Sequence, residues 1–322
     1  MPETWAALDT APQRGHRHDL FLSDSEADVP AVAVPFLRAA LDAGDLAVIA
    51  TSDRLARDLA DELGPDDQLL VMAHSDVYRS RTPAALTAFR KLADEQAAEG
   101  HRVRVVGETQ FGPTPRHWVE WERYEAIVNE ALRGRSLWGL CVFDTSRLAD
   151  EVVAAGLRTH PYLVDAQQRW PNPDYQQPAD FLRALPVPDE PLERTEPLLA
   201  VDDVSDFIGL RHTVGRLLGS LGGSPDLVED LHLAIDEMSS NAVRHGGPPV
   251  ALRLWASPDR VVCRIKDSGP GMDDPFAGYG PAHGADLSRG GMGLWLARQL
   301  CDHVDVLDEG AGLTVRLATT LR

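Results

Sequence analysis

The chain has only three cysteines, Cys141, Cys263 and Cys301, far apart and each in an apolar run. A disulfide framework or a zinc site needs paired spacings that are missing, so the three are expected to be buried thiols in a reducing cytoplasm. No stretch approaches the roughly 18 uninterrupted apolar residues of a membrane span. The N-terminus lacks the basic, apolar and small-residue succession of a signal peptide. A soluble, cytoplasmic protein with no membrane partner is expected. Basic residues are scarce, 31 against 50 acidic ones, for a formal net charge of −19. Such a surface repels a phosphate backbone, which argues against nucleic acid as a direct partner. The deficit is spread evenly, with 19 basic and 29 acidic residues up to position 185 and 12 and 21 beyond it, so no acidic tail explains it. Internal repeats are missing, and the first half has no G-x-x-x-x-G-K-[ST] phosphate loop.

What is present is an ordinary globular composition, 43% hydrophobic and 25% charged, over a length that calls for two cores. After a flexible leader (1–17), strands are expected at 18–22, 46–50, 68–72, 103–106 and 137–143. Helices are expected at 29–41, 53–63, 83–99, 118–133 and 147–155. This alternation predicts an α/β domain over 18–185 with a mostly parallel sheet. Residues 170–198 are rich in proline and acid around one amphipathic piece (179–185), and 186–198 is expected to be the interdomain linker. From 199 to 322 helices and strands no longer alternate, which predicts an α+β sandwich.

The chemistry concentrates in this second half. A helix opened by Ser224-Pro225-Asp226 carries Leu227, Leu231, Ile235, Met238 and Ala242 on one stripe, with Glu237, Asn241 and His245 beside it at steps of four. A carboxylate there can accept a proton or orient a water, and an amide oxygen one turn on is a hard ligand suited to Mg²⁺. Next comes Asp267-Ser268-Gly269-Pro270-Gly271-Met272, directly after a β-branched run. A strand-end carboxylate can accept the exocyclic amine of adenine, while glycines let the backbone approach a base or phosphate. Gly290-Gly291-Met292-Gly293-Leu294 then opens a helix, where free N–H groups can receive phosphate. The intervening 273–289, rich in Gly, Pro and Asp, has the composition of a mobile lid.

In this order and spacing the three motifs resemble the GHKL ATP-binding superfamily, over about residues 198–322. By position, Glu237-x-x-x-Asn241 resembles the N box, Asp267-x-Gly269-x-Gly271 the G1 box and Gly291-x-Gly293 the G2 box. Thr314 resembles the late threonine that supports the adenine-contacting aspartate. The resemblance implies a Bergerat ATP-binding sandwich that uses ATP and Mg²⁺. Asn241 would be the metal ligand and Glu237 the catalytic carboxylate. Nucleotide contacts would come from Asn241, His245, Asp267, Gly269, Gly271, Met272, Gly291, Gly293, Leu294 and Thr314. The compact form, with Asn-Ala-x-x-His-Gly at 241–246, is most similar to the bacterial anti-sigma-factor serine/threonine kinases. That similarity implies phosphorylation of an anti-anti-sigma partner with a STAS domain, binding to a sigma factor, and a homodimer through the kinase domain. Over about 18–185 the chain resembles the MEDS sensory domain, a degenerate relative of RecA-like ATPases, in HDLFLSDSEADVPAVAVPFLRAALDAGDLAVIAT, RVVGETQF and VFDTSRLADEVVAAGLRTHPYLV. There Glu108, Trp118 and Glu122 are candidates to line a ligand pocket. Two alternatives are a sensor histidine kinase, with His212 as its phosphoacceptor, and a non-catalytic switch that holds partners according to bound ATP.

Overall fold

The computed structural model describes residues 3–4, 15–73, 77, 81–280, 292–308, 310 and 312–321. These form two compact units, Met1–Leu185 and Pro186–Arg322.

The first unit is built on β1 (Glu3–Thr4), β2 (Arg17–Ser23), α1 (Pro30–Asp42), β3 (Leu46–Ala50), α2 (Asp53–Leu63), β4 (Leu69–Val71), α3 (Thr82–Glu99), β5 (Val103–Gly107), α4 (Pro115–Ala131), β6 (Leu137–Asp144), α5 (Asp150–Thr159), β7 (Tyr162–Val164), β8 (Gln168–Pro171) and α6 (Pro178–Ala184). The sheet order is β1-β8-β7-β2-β6-β5-β3-β4. From β7 through β4 every pairing is parallel, as the alternation implied, and β3, an unbroken apolar run, is buried along its whole length. The β7–β8–β1 edge is antiparallel and was not expected. Its prolines mislead: Pro171 ends an outer strand and Pro178 opens a helix, two places where a missing N–H costs nothing. The proline-rich stretch therefore begins inside this unit. Phe181 of α6 is buried against Ala126 and Ala155.

The second unit comprises β9 (Leu199–Val201), α7 (Phe207–Gly219), α8 (Pro225–Arg244), β10 (Ala251–Ser257), β11 (Arg260–Lys266), α9 (Gly293–Leu300), β12 (His303–Asp308) and β13 (Leu313–Thr320). Its antiparallel sheet runs β12-β13-β11-β10-β9, with a core in which Leu218, Ile235, Met238 and Ala297 of the helices meet Leu254, Cys263 and Leu317 of the strands. This is the α+β sandwich that the loss of alternation implied. Trp255, Val262 and Ala318, neighbours in register across three strands, form a separate apolar cluster with Leu192. Residues 186–198 run along this part of the unit. Trp255 donates to Thr195 O (3.1 Å), Arg316 donates to Pro188 O (2.6 Å), and Arg260 pairs with Glu190 (3.0 Å).

Candidate nucleotide site

Ser224 caps α8 by accepting the Leu227 N–H, and Pro225 follows at the first turn, where it needs no donor. Burial of Leu231, Ile235, Met238 and Ala242 then fixes the helix's rotation. Glu237 and Asn241 are left at the edge of the core, half-buried, on the flank that meets α9. There the first residue of α9 is Gly293. A methyl group on its Cα would lie 2.6 Å from Asn241 Nδ2 and 3.1 Å from Glu237 Oε2, so only a bare backbone lets α9 begin against the two side chains. His245, the C-cap of α8, is exposed and donates its N–H to Asn241 O (2.9 Å).

Asp267 follows β11 directly and is buried at 6% exposure. Its Oδ1 accepts the N–H of Gly269 (2.8 Å) and of Leu313 (3.3 Å), and its own N–H donates to Leu313 O (2.9 Å). Gly312, at φ +101°, presses against the Asp267 carbonyl, where no side chain fits. On the other side Gly246 packs on the Asp267 side chain, and Ser268 N–H donates to Gly247 O (2.8 Å), which joins the end of α8 to this turn. Thr314, paired in register with Lys266, is fully buried, and its hydroxyl has no hydrogen-bond partner among the described residues. Gly271 takes φ +82°, and Met272 beside it is half-buried.

The expected lid is anchored over its first part. Tyr279 is buried beneath the Arg298 guanidinium (4.1 Å to the ring centroid), and Gly278 sits against Leu294. Residues 281–291, and with them Gly291 of the expected G2 box, lie outside the described residues. Glu237, Asn241 and Gly293 thus meet at one end of α8, while Asp267, Gly269 and Thr314 meet at the strand ends. Sequence reasoning passed over Gly312 and Gly247, although a glycine two places before Thr314 was a readable signal. In the first unit the three pocket candidates have local partners. Glu108 accepts the Ser52 N–H (2.9 Å), and Trp118 donates to Gly112 O (2.9 Å). Glu122 is buried, which pushes its carboxyl pKa up.

These residues fit a nucleotide with its metal. A buried carboxylate at a strand end and an unpartnered buried hydroxyl beside it suit the polar edge of a base. A carboxamide and a carboxylate at a glycine-opened helix suit a phosphate-bound hard cation.

Comparison with known proteins identifies the two domains by family. The profile of the histidine kinase-like ATPase domain matches residues 202–319, and that of the MEDS domain (MEthanogen/methylotroph, DcmR Sensory domain) matches 17–161. The serine-protein kinase RsbW of Bacillus subtilis (strain 168) is 31% identical over 128 residues, 36% of this chain and 79% of that protein. The chain belongs to the RsbW serine-protein kinase family. RsbW of Halalkalibacterium halodurans is 32% identical over 134 residues, 38% of this chain and 82% of that one. The crystal structure of the RsbU and RsbW domains of Rv1364c from Mycobacterium tuberculosis aligns with 39% of this chain and 33% of that one, at 19% identity and a TM-score of 0.29. Among the described residues no helix is long and apolar enough to cross a membrane.

Proposed function

We propose that the second unit is an ATP-dependent protein kinase that phosphorylates a serine or threonine of an anti-anti-sigma partner with a STAS domain, under the control of the first unit. The observation that carries this reading is the closure of the Gly293 backbone onto Asn241 and Glu237, which puts a hard ligand and a carboxylate at the start of one helix. Asn241 would hold Mg²⁺, which would supply charge neutralisation at the phosphates. Glu237 then accepts, or orients, the proton of the attacking hydroxyl. Asp267 accepts the adenine amine, and Thr314 holds the adjoining polar edge. The glycines at 269, 271, 291 and 293 let the backbone approach the nucleotide, with Met272, Leu294 and His245 around it. A sigma factor as second partner, a homodimer through this unit, a role in transcription control and a cytoplasmic site belong to the same reading.

The test is incubation of the full chain with labelled ATP and Mg²⁺, with and without a STAS-domain protein. The expected label is on the partner and is stable to acid, as phosphoserine and phosphothreonine are. His212, exposed on α7, is not expected to carry phosphate, so His212→Gln transfers label at the normal rate. Acid-labile label that disappears with this substitution makes the protein a histidine kinase. ATP-dependent partner binding without any transfer makes it a switch.

A further inference from the structure

Inside the first unit four potential ligands converge from distant parts of the chain: His18 on β2, Glu125 on α4, Cys141 on β6 and His160 immediately after α5. One donor atom from each lies within 4.8 Å of all the others. His18 Nε2 is 3.2 Å from Cys141 Sγ and 3.2 Å from Glu125 Oε2, and His160 Nε2 is 3.5 Å from the same oxygen. A tetrahedral zinc ion with ordinary bond lengths separates its ligand atoms by roughly 3.4–3.6 Å, so small side-chain movements bring this set onto one centre. Three of the residues are almost wholly buried, His18 at 4%, Glu125 at 1% and His160 at 0% exposure, while Cys141 is half-buried.

The surrounding hydrogen bonds aim these atoms inward. Thr109 donates to Glu125 Oε1 (2.8 Å), which leaves Oε2 facing the imidazoles. His160 Nδ1 meets Gly156 O (2.8 Å), and a carbonyl can only accept, so that nitrogen carries the proton and Nε2 presents its lone pair. Neither Glu125 Oε2 nor His160 Nε2 has a hydrogen-bond partner among the described residues, a costly state for two buried atoms that face each other. Burial pushes both imidazoles down to about 3 and raises the Glu125 carboxyl and the Cys141 thiol. One dication with a thiolate, a carboxylate and two neutral imidazoles is neutral overall, which is what a buried site requires.

We propose that the first unit binds one divalent metal ion of the zinc class through His18, Glu125, Cys141 and His160. Two nitrogens, one sulfur and one oxygen are a zinc-like donor set, and with all four supplied by protein no position is left open for hydrolytic chemistry. The ion ties β2, β6, α4 and the end of α5 together, and the first unit's stability then depends on metal. This reading is independent of the kinase activity of the second unit.

The test is titration of the reduced, chelator-stripped full chain with Co²⁺, followed by displacement with Zn²⁺. The expected result is one equivalent of metal per chain and a thiolate-to-cobalt charge-transfer band that zinc abolishes. Cys141→Ser removes the band. His160→Gln weakens binding by more than the 10- to 100-fold typical of losing an outer-shell partner. Zinc is expected to raise the melting temperature of the wild type and not that of a folded variant. A wild-type chain that shows no thiolate-to-cobalt band overturns the proposal whatever the variants do, and so does a band that survives in Cys141→Ser.

Discussion

The phosphate end of the second unit's site and the polar centre of the first unit are built in opposite ways. In the second unit Glu237 and Asn241 stay half-solvated at the end of a helix, and glycine backbones close around them. In the first unit the notable polar groups are inside. Asp19, fully buried, accepts from Arg169 Nε (2.6 Å), Arg169 Nη2 (3.0 Å) and Trp138 Nε1 (2.8 Å), and the buried cluster of histidines, glutamate and cysteine takes two of its members, His18 and Cys141, from β2 and β6. A half-solvated group can be positioned by its own helix, because water meets the rest of its needs. A buried one must be compensated by protein, so its partners come from whichever strands the fold brings alongside. The second unit's site therefore tolerates loss of a side chain structurally while losing chemistry. The first unit's loses structure.

The sharpest break of that contrast is Glu237→Ala. Phosphotransfer is expected to fall roughly 10²- to 10⁴-fold, about 3–5 kcal/mol of barrier, with ATP affinity preserved in calorimetry and no change in melting. Asn241→Ala, by contrast, is expected to weaken both Mg²⁺-dependent ATP binding and turnover. Normal transfer by Glu237→Ala would leave that carboxylate a solvated helix residue. In the first unit, Arg169→Met strips the partner from a buried carboxylate and is expected to cost about 3–5 kcal/mol in chemical denaturation. A loss below about 1 kcal/mol, the worth of an exposed pair, would sink the contrast. Asp267→Asn stands between the two classes. The buried carboxylate loses its charge toward the adenine amine, a charge-assisted bond worth about 1.5–3 kcal/mol, so ATP affinity is expected to drop roughly 10- to 100-fold.

The smallest effect is the pH dependence of the first unit with chelator present. Burial holds His16, His18 and His160 at about 3, well below the ordinary 6.5, so the unfolded chain binds more protons between these values and stability is lost as pH falls through that window. The raised carboxyls of Asp19, Glu122 and Glu125 act with the opposite sign, since the folded state keeps their protons longer. Cys141, with its thiol pushed up by burial, stays protonated throughout. Each imidazole held neutral removes up to about 1.4 kcal/mol of stability per pH unit as pH falls, and each raised carboxyl offsets as much while it keeps its proton. Denaturant midpoints of the wild type and of His16→Gln from pH 7 to pH 4.5 check the sign: the variant is expected to lose less stability as pH falls, and parallel profiles would show that His16 is not held neutral.

Much of the second unit is local and could be read directly. Ser224-Pro225 starts α8, the apolar stripe sets its rotation, and a spacing of four puts Glu237 and Asn241 on one flank, because helical periodicity alone decides which residues share a face. Asp267 could be placed at a strand end for the same reason, and the parallel sheet followed from alternation. What the sequence hid was long-range. Gly312 acquires its role only because β13 returns beside β11 and brings it onto the Asp267 carbonyl. Prolines disguised β8 and α6, since their tolerance at edges and first turns depends on knowing where the edges are. Residues 186–198 read as a tether, yet in the fold their carbonyls and carboxylates meet Trp255, Arg260 and Arg316.

The clearest division lies between the two polar centres. The chain by itself determined the order of helices and strands, the acidic surface and the glycine-flanked helix that places Glu237 and Asn241, because each depends on neighbours a turn or a strand away. The tertiary structure alone decided that His18, Glu125, Cys141 and His160 bring their donor atoms within 4.8 Å of one another. Single ligands carried by separate strands and helices leave no spacing to recognise. They converge only when parallel pairing sets β2 beside β6, with α4 and the end of α5 contributing their ligands to the same point.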